Sequence, residues 1–260
     1  MMLYPLGMMQ QDGKVFAEHF HRLWGTLVGL ITISMMILIW RTDPRRWLRW
    51  LMVAILVMVC AQGVMGALWV LLKDSPWRVF HGVFGQVVFA AIASLTAFTS
   101  TLWKSGVQPT IKPSAHTDRT LTALLPCLLL VQLVLGALYR HLEPKHLHLL
   151  YTHIMMAAVV TGFLIATAGR AWSTNRDLPI VPRLGLCLLH GVGLQIALGV
   201  VSMMAVWSRE AGDPNIPAWE VIVTTAHQVV GAVLLAVAVL LMLWTRRLLG
   251  TQALTEPMQT

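Results

Sequence analysis

The stretch Glu18-His19-Phe20-His21-Arg22-Leu23-Trp24-Gly25 opens an apolar run that continues to about residue 40. In a helix, Glu18, His21 and Arg22 lie on one face because they are three and four residues apart. Gly25, one turn after His21, leaves that face bare beside the imidazole. Ionisable side chains at the edge of a membrane span are costly, so their presence indicates a candidate functional site.

The composition around this stretch is that of a membrane protein. Hydrophobic residues make up 57% of the chain, charged residues 12%, and the mean hydropathy is +0.70. The apolar runs are continuous rather than alternating, which excludes a β-barrel. We expect an all-α polytopic bundle with seven transmembrane helices of about twenty residues or more. The predicted spans are 20–40, 48–72, 81–103, 120–138, 151–170, 184–206 and 220–244.

The basic residues predict the orientation of these spans. Twelve lysines and arginines fall in one set of loops and the tail, and seven fall on the other side. By the positive-inside rule the richer side is cytoplasmic, which places the N-terminus outside and the C-terminus inside. The net charge of +8 therefore reflects topology, and we expect no nucleic-acid partner. The N-terminus shows neither a cleavable signal nor a transit peptide, so we expect a bacterial plasma membrane.

Four histidines repeat one pattern, in which a small residue follows at the fourth position. The pairs are His21 and Gly25, His81 and Gly85, His153 and Ala157, and His227 and Gly231. Each histidine stands near the outer end of an odd-numbered span. The four imidazoles are therefore expected at similar depth near the outer leaflet.

The even-numbered spans carry a second repeat, Gln-x-x-x-Gly. Glycine allows close helix approach in a bilayer, and glutamine can form a hydrogen bond across the contact. Histidine-type and glutamine-type spans alternate, which predicts a tandem repeat that lacks its first element. We divide it into an N-terminal half, 1–118, and a C-terminal half, 119–260. The glutamine and glycine pairs are Gln62 and Gly66, Gln132 and Gly136, and Gln195 and Gly199.

Heme fits the four repeated imidazoles better than zinc or copper does. Those metals favour carboxylates or thiolates nearby, and none accompany His81, His153 or His227. Heme iron accepts axial imidazoles, and the repeat pairs His21 with His81 and His153 with His227. Cations suited to the propionates are Arg22, Arg78 and Arg140. The other histidines are interpreted as interfacial or packing residues, namely His19, His116, His141, His146, His148 and His190.

Glu18 distinguishes the first site from the others. Three residues before the other repeated histidines the sequence has Arg78, Leu150 and Thr224, so only the first site carries an acid there. One interpretation is proton or cation chemistry at that site. The alternative is an ion pair between Glu18 and Arg22 at the interface. The three cysteines, Cys60, Cys127 and Cys187, show no CxxC spacing and are expected to be buried, unpaired residues.

Taken together, Glu18-x-x-His21-Arg22, the Gln-x-x-x-Gly helices and the later histidine helices resemble heme A synthase over nearly the whole chain. That family has eight transmembrane helices in two four-helix halves and oxidises a ring methyl of heme O to the formyl group of heme A. The resemblance implies that His21 and His81 bind the substrate heme, and that His153 and His227 bind a heme b that relays electrons. It implies that Glu18 assists the oxidation, and that Arg140 ends the glycine-containing helix as in the family.

Two features depart from the family pattern. The first helix and its outer loop are missing from this sequence, and so is the outer cysteine pair of many bacterial members. The expected partners are the lipid bilayer, heme O, a heme O-producing enzyme and an electron donor of unknown identity; a second copy of the chain is one further candidate. The alternative function is a non-catalytic di-heme b electron carrier or a heme-handling assembly factor.

Overall fold

The structure, a computed structural model, describes residues 13–142, 146–208 and 216–251. This part of the chain is almost entirely helical. Its elements are α1 (Gly13–Thr42), α2 (Arg46–Leu72), α3 (Ser75–Thr99), α4 (Thr101–Lys104), β1 (Thr110–Ile111), α5 (Ala115–His141), α6 (Leu147–Ser173), α7 (Val181–Ser208), α8 (Ala218–Leu248) and β2 (Leu249–Gly250).

Within these residues, seven helices are long and apolar enough to cross a membrane, which confirms the predicted all-α polytopic fold. Large apolar side chains such as Leu71, Met155 and Ile222 are mostly exposed, as expected for surfaces that face lipid. Most helices extend several residues beyond the predicted spans, because backbone hydrogen bonding continues past the apolar stretch.

The third span was predicted to reach residue 103, and this was wrong. Helix α3 ends at Thr99, and Ser100 has an extended backbone (φ −63°, ψ 151°). The Ser100 hydroxyl accepts a hydrogen bond from the backbone N–H of Trp103 at 3.2 Å. This is the geometry of an N-cap, so Ser100 begins the short helix α4.

The chain divides into two compact units, Met1–Trp77 and Arg78–Thr260. In the first unit α1 packs against α2. Asp43 lies in the connection between the two helices, and its side chain is buried. Its carboxylate accepts two hydrogen bonds from Arg45, at Oδ1 (2.8 Å) and at Oδ2 (2.6 Å). The hydrogen bond that Arg45 donates to this carboxylate raises the pKa of Arg45 above its ordinary value. The bidentate pair therefore fixes the connection between the two helices.

The second unit contains a four-helix bundle. Helix α5 packs on α6, α6 on α7, α7 on α8, and α8 closes the ring on α5. Helices α6 and α8 are therefore one diagonal pair, and α5 and α7 the other. Residues from α3 share the same apolar core, and Trp103 of α4 packs edge-to-face on Trp244 of α8 with ring centroids 5.2 Å apart. The predicted division of the sequence at residue 118 stays a prediction.

A polar network ties together the end of the bundle at which α5 begins. Asp118 is 4% exposed and accepts a hydrogen bond from Arg170 Nε at 2.9 Å. Ser114 Oγ and Asn175 Nδ2 donate to the other carboxylate oxygen at 2.8 and 3.3 Å. Next to this network Lys112 forms an ion pair with Asp177, and β1 pairs in parallel with β2. These contacts join the loops at this end of the bundle.

The cysteine prediction was partly wrong. All three cysteines are free thiols, as expected, but they are exposed on the outer surfaces of their helices rather than buried. A small apolar side chain can face lipid as readily as core, so hydropathy alone does not distinguish the two positions.

Candidate functional site

Two of the repeated histidines lie at the same end of the four-helix bundle. His153 is on the second turn of α6 and His227 on the third turn of α8, where α5 and α7 end. Both side chains are half-buried, and their imidazoles are near enough to interact electrostatically. Because α6 and α8 are the diagonal pair, the two imidazoles belong to helices on opposite sides of the bundle.

His153 is held by the glutamine of the preceding helix. Gln132 Nε2 on α5 donates to the backbone oxygen of His153 at 3.0 Å and lies 3.1 Å from its Nδ1. The same amide nitrogen lies 3.4 Å from the ring Nε2. An amide nitrogen is only a donor, so it can donate to either ring nitrogen, and this contact does not fix the tautomer of His153. Gln132 Oε1 is buried and has no hydrogen-bond partner among the described residues.

His227 is also held by a glutamine of the preceding helix, but here the backbone oxygen of the glutamine takes part. Its Nδ1 lies 3.2 Å from the backbone oxygen of Gln195 on α7, and its Nε2 lies 3.4 Å from Gln195 Nε2. A carbonyl oxygen is only an acceptor, so Nδ1 carries the proton and Nε2 keeps its lone pair. A backbone acceptor on one ring nitrogen is the arrangement that orients a histidine to bind metal through the other.

The glycine of each Gln-x-x-x-Gly pair makes room for an imidazole. A Cβ at Gly136 would lie 2.9 Å from His153 Cε1, and one at Gly199 would lie 3.0 Å from His227 Cε1. The first distance is shorter than real Cβ contacts and the second is tighter than most of them, so a side chain at either position would require the ring to move. The expected interhelical role of glutamine and glycine is thus observed twice, on α5 with α6 and on α7 with α8.

The small residue after His227 does not leave a bare face. A Cβ at Gly231 would meet Gln195 Nε2 at 3.3 Å, so the glutamine occupies the space beside this glycine. In contrast, no atom of the described residues lies within 4 Å of a Cβ built at Gly25 in the first unit. The same histidine-to-glycine spacing therefore accompanies a packed glycine on α8 and an uncovered glycine on α1.

An acidic residue that the sequence analysis did not identify lies near the pair His153 and His227. Glu220 on α8 is 5% exposed and interacts electrostatically with Arg140, whose charge also acts on His227. Arg140 Nη1 approaches the backbone oxygen of Thr224 at 3.5 Å. The statement that only the first site has a carboxylate was therefore wrong. Glu220 is seven residues, or two turns, before His227, whereas only the position three residues before each histidine was compared.

Glu18 and Arg22 in the first unit form the predicted i, i+4 ion pair on α1. Their side chains are 45% and 42% exposed, and His21 on the same helix is also exposed. The ion pair between Glu18 and Arg22, one of the two interpretations of Glu18, is thus observed. It is compatible with the other interpretation, proton chemistry at this site, because an ionised carboxylate can still accept a proton.

The remaining histidines divide between the two units. His81 is half-buried on α3 in the second unit, whereas His21 belongs to the first, and their pairing stays a prediction. His190 on α7 is exposed and its Nδ1 bonds the backbone oxygen of Leu186 on its own helix at 2.8 Å. It is therefore satisfied within one helix, in agreement with its expected packing role.

The donor set suits a heme better than a bare metal ion. Within the described ranges, no three His, Cys, Asp or Glu side chains are grouped to hold a metal ion. A heme needs only two axial imidazoles from the protein. His153 and His227 could supply them, the glycines opposite their rings provide close packing space, and Arg140 could pair with a propionate.

These features define a class of protein: a multi-pass, all-α membrane protein whose bundle presents two imidazoles from diagonal helices. A family model described as cytochrome oxidase assembly protein, COX15-CtaA, matches residues 2–148. The chain belongs to this family, which is that of heme A synthase. The matched range includes Glu18, His21, His81 and Arg140 and ends before His153.

Comparisons with curated proteins and with solved structures gave no significant match. The family assignment therefore depends on the family model, and the arrangement of the C-terminal imidazoles depends on the geometry above.

Proposed function

We propose that this protein is a heme A synthase-type oxidoreductase of the bacterial plasma membrane, which oxidises a ring methyl of heme O to a formyl group for cytochrome oxidase. The observation that carries the proposal is the doubled arrangement in the bundle, in which a Gln-x-x-x-Gly helix holds the histidine of the next helix. Membership of a family of cytochrome oxidase assembly proteins supports it.

In this proposal His153 and His227 are the residues that would hold a resident heme b through its iron. A bound heme b supplies reversible one-electron transfer between ferric and ferrous iron. The Nδ1 proton of His227, directed at the Gln195 carbonyl, leaves Nε2 as the ligating atom. Gln132 positions the His153 side chain, and Arg140 with Glu220 sets the charge at the same end of the bundle.

His21 and His81 are proposed to bind the substrate, heme O, with Arg22 as a propionate partner. Glu18 is three residues before His21 on the same face of α1, where it could accept or return a proton as the methyl group is oxidised. The electron donor and the oxidant belong to other molecules. The proposed orientation, with these histidines near the outer leaflet, follows from the distribution of basic loops.

The ion pair between Glu18 and Arg22 favours a second candidate function. If this carboxylate serves only to neutralise Arg22, the protein is a non-catalytic di-heme b carrier or heme-handling factor. Such a protein would bind two low-spin hemes and release no modified product.

One experiment separates these functions. The protein is expressed in a host that supplies heme O, and the extracted hemes are separated by reversed-phase chromatography. The proposal expects heme b and newly formed heme A; heme b and heme O without heme A would support the carrier. Glu18→Gln should keep the bound heme and reduce heme A, and unchanged heme A would remove Glu18 from the reaction.

The ligand assignment has a matched control in the same bundle. His227→Ala and His153→Ala should each remove the heme b absorption, whereas His190→Ala should not, because His190 bonds only its own helix. Retention of the full spectrum in both ligand variants would reject the C-terminal heme site.

A further inference from the structure

An open groove lies between the beginning of α5 and the end of α8, opposite the histidine end of the bundle. Its volume is about 610 Å³. Its polar lining includes His116, Arg119 and Arg246, and its apolar lining includes Ala123 and Leu124. The proposed heme chemistry uses none of these residues.

The position of Arg119 is fixed by the end of α8. Its Nη2 donates to the backbone oxygen of Arg246 at 3.1 Å and also to that of Leu249. Its Nε is buried and lacks a hydrogen-bond partner within the described residues. A guanidinium held in this way keeps its positive charge at the edge of the groove, and guanidinium groups favour phosphate oxygens.

Among the residues that the structure describes, the groove lining carries arginines and no acid. In the part of the chain that the structure describes, no carboxylate pairs with Arg119 or Arg246, and no acidic residue lines the groove. Two other bases at this end have acidic partners: Lys112 pairs with Asp177 and Arg170 with Asp118. An anion in the groove would therefore meet two arginines that no described carboxylate neutralises.

The polarity of the groove changes along the helix axis. His116 and Arg119 are on the first two turns of α5, whereas Ala123 and Leu124 are on the following turn, toward the interior of the span. Leu124 is 48% exposed. A ligand that matches both parts has an anionic head at the membrane surface and an apolar tail beside Leu124, whereas a free phosphate would leave the apolar part unused.

We propose that this groove binds an anionic phospholipid, with the phosphodiester at Arg119 and Arg246 and an acyl chain along Ala123 and Leu124. The predicted orientation places this end of the bundle on the cytoplasmic side, where basic pockets between helices bind anionic headgroups. The site is independent of the heme ligands at the opposite end of the helices.

The test uses the full chain in nanodiscs of phosphatidylcholine that contain a small fraction of dioleoylphosphatidylglycerol. Native mass spectrometry measures the phosphatidylglycerol retained on the released protein. Arg246→Gln should lower the retained lipid about tenfold, equivalent to one lost charge-assisted contact. Arg183→Gln is the matched control, because Arg183 is exposed at the start of α7, at the same end of the bundle and outside the groove. It should retain the wild-type amount.

Two further arms test the kind of ligand. Leu124→Ser should reduce lipid retention, and glycerophosphoglycerol or inorganic phosphate at equal concentration should not displace the lipid. Equal losses in Arg246→Gln and Arg183→Gln would overturn the proposal, because they would show a general charge effect. Displacement by the headgroup or by phosphate would also overturn it, because the site would then bind a free anion.

Discussion

The imidazole of His227 lies against Gly199 so closely that a Cβ there would fall 3.0 Å from Cε1. Gly136 has the same relation to His153 at 2.9 Å. Both contacts lie at the end of the bundle where α5 and α7 end. Two equivalent contacts on two helix pairs support the internal repeat that the sequence predicts.

Substituting either glycine should therefore disturb the neighbouring histidine. We expect Gly199→Ala to displace the His227 ring and destabilise the protein by about 1–3 kcal/mol, as overpacking does. Heme absorbance per protein should also fall. Gly193→Ala on the same helix is the control, since no described atom comes within 4 Å of a Cβ there. Equal absorbance and stability in the two variants would contradict the contact.

The interhelical glutamine bonds should make a modest contribution to stability. Gln132→Leu removes the donor to the His153 carbonyl, and we expect a loss of about 0.6–1.7 kcal/mol, the range of such bonds in membranes. Thermal unfolding in detergent, followed by circular dichroism, measures it. The electron paramagnetic resonance signal of the bound heme should also shift, because the His153 ring loses its positioning partner; an unchanged signal would show that Gln132 only packs.

Glu220 and Arg140 should be energetically coupled. We expect Glu220→Gln to destabilise the protein by about 1–3 kcal/mol, because the buried carboxylate is exchanged for a neutral group beside a cation. The double variant with Arg140→Gln should lose less than the sum of the single variants. Chemical denaturation of the four proteins gives the coupling, and strict additivity would show that the two charges act separately.

The buried Asp118 should matter more than the exposed Asp177. Asp118→Asn breaks the contact with Arg170, and we expect a loss of about 3 kcal/mol, near the value for a broken buried pair. Asp177→Asn should cost less than about 1 kcal/mol, because exposed pairs are screened. The Asp118 side chain is 4% exposed and the Asp177 side chain 54%. A larger loss at Asp177 in thermal unfolding would contradict this order.

The pair between Lys112 and Asp177 should also give a small pH dependence. The hydrogen bond from Lys112 lowers the pKa of Asp177 below its ordinary value of 3.8. The pair thus stabilises the fold above pH 3.8, and the contribution is lost as the pH falls through the lowered pKa. Unfolding temperatures measured from pH 7 to pH 3 should fall more steeply below pH 4 for the wild type than for Asp177→Asn, and parallel curves would exclude this pair.

Part of the candidate site was accessible from the sequence. The spacing of His153 and His227 within their spans and the Gln-x-x-x-Gly pattern follow from helical periodicity. Glu220 could not be found from the sequence, because it lies two turns before His227 on α8. Its connection to His227 runs through Arg140 of another helix, which interacts with both residues. The end of α3 at Thr99 was missed because Ser100 and its cap interrupt a run that hydropathy reads as continuous.

The seven apolar spans follow from residue order alone, because each long run must satisfy its backbone within a helix to cross lipid. Residue order also placed the histidines near one end of their helices, since position along a helix follows residue number. Three relationships required the folded chain: α6 and α8 are diagonal, each imidazole packs on the glycine of the preceding helix, and Arg119 binds the backbone at the end of α8. These contacts join residues far apart in the chain, and their choice depends on how side-chain shapes fit across helix surfaces.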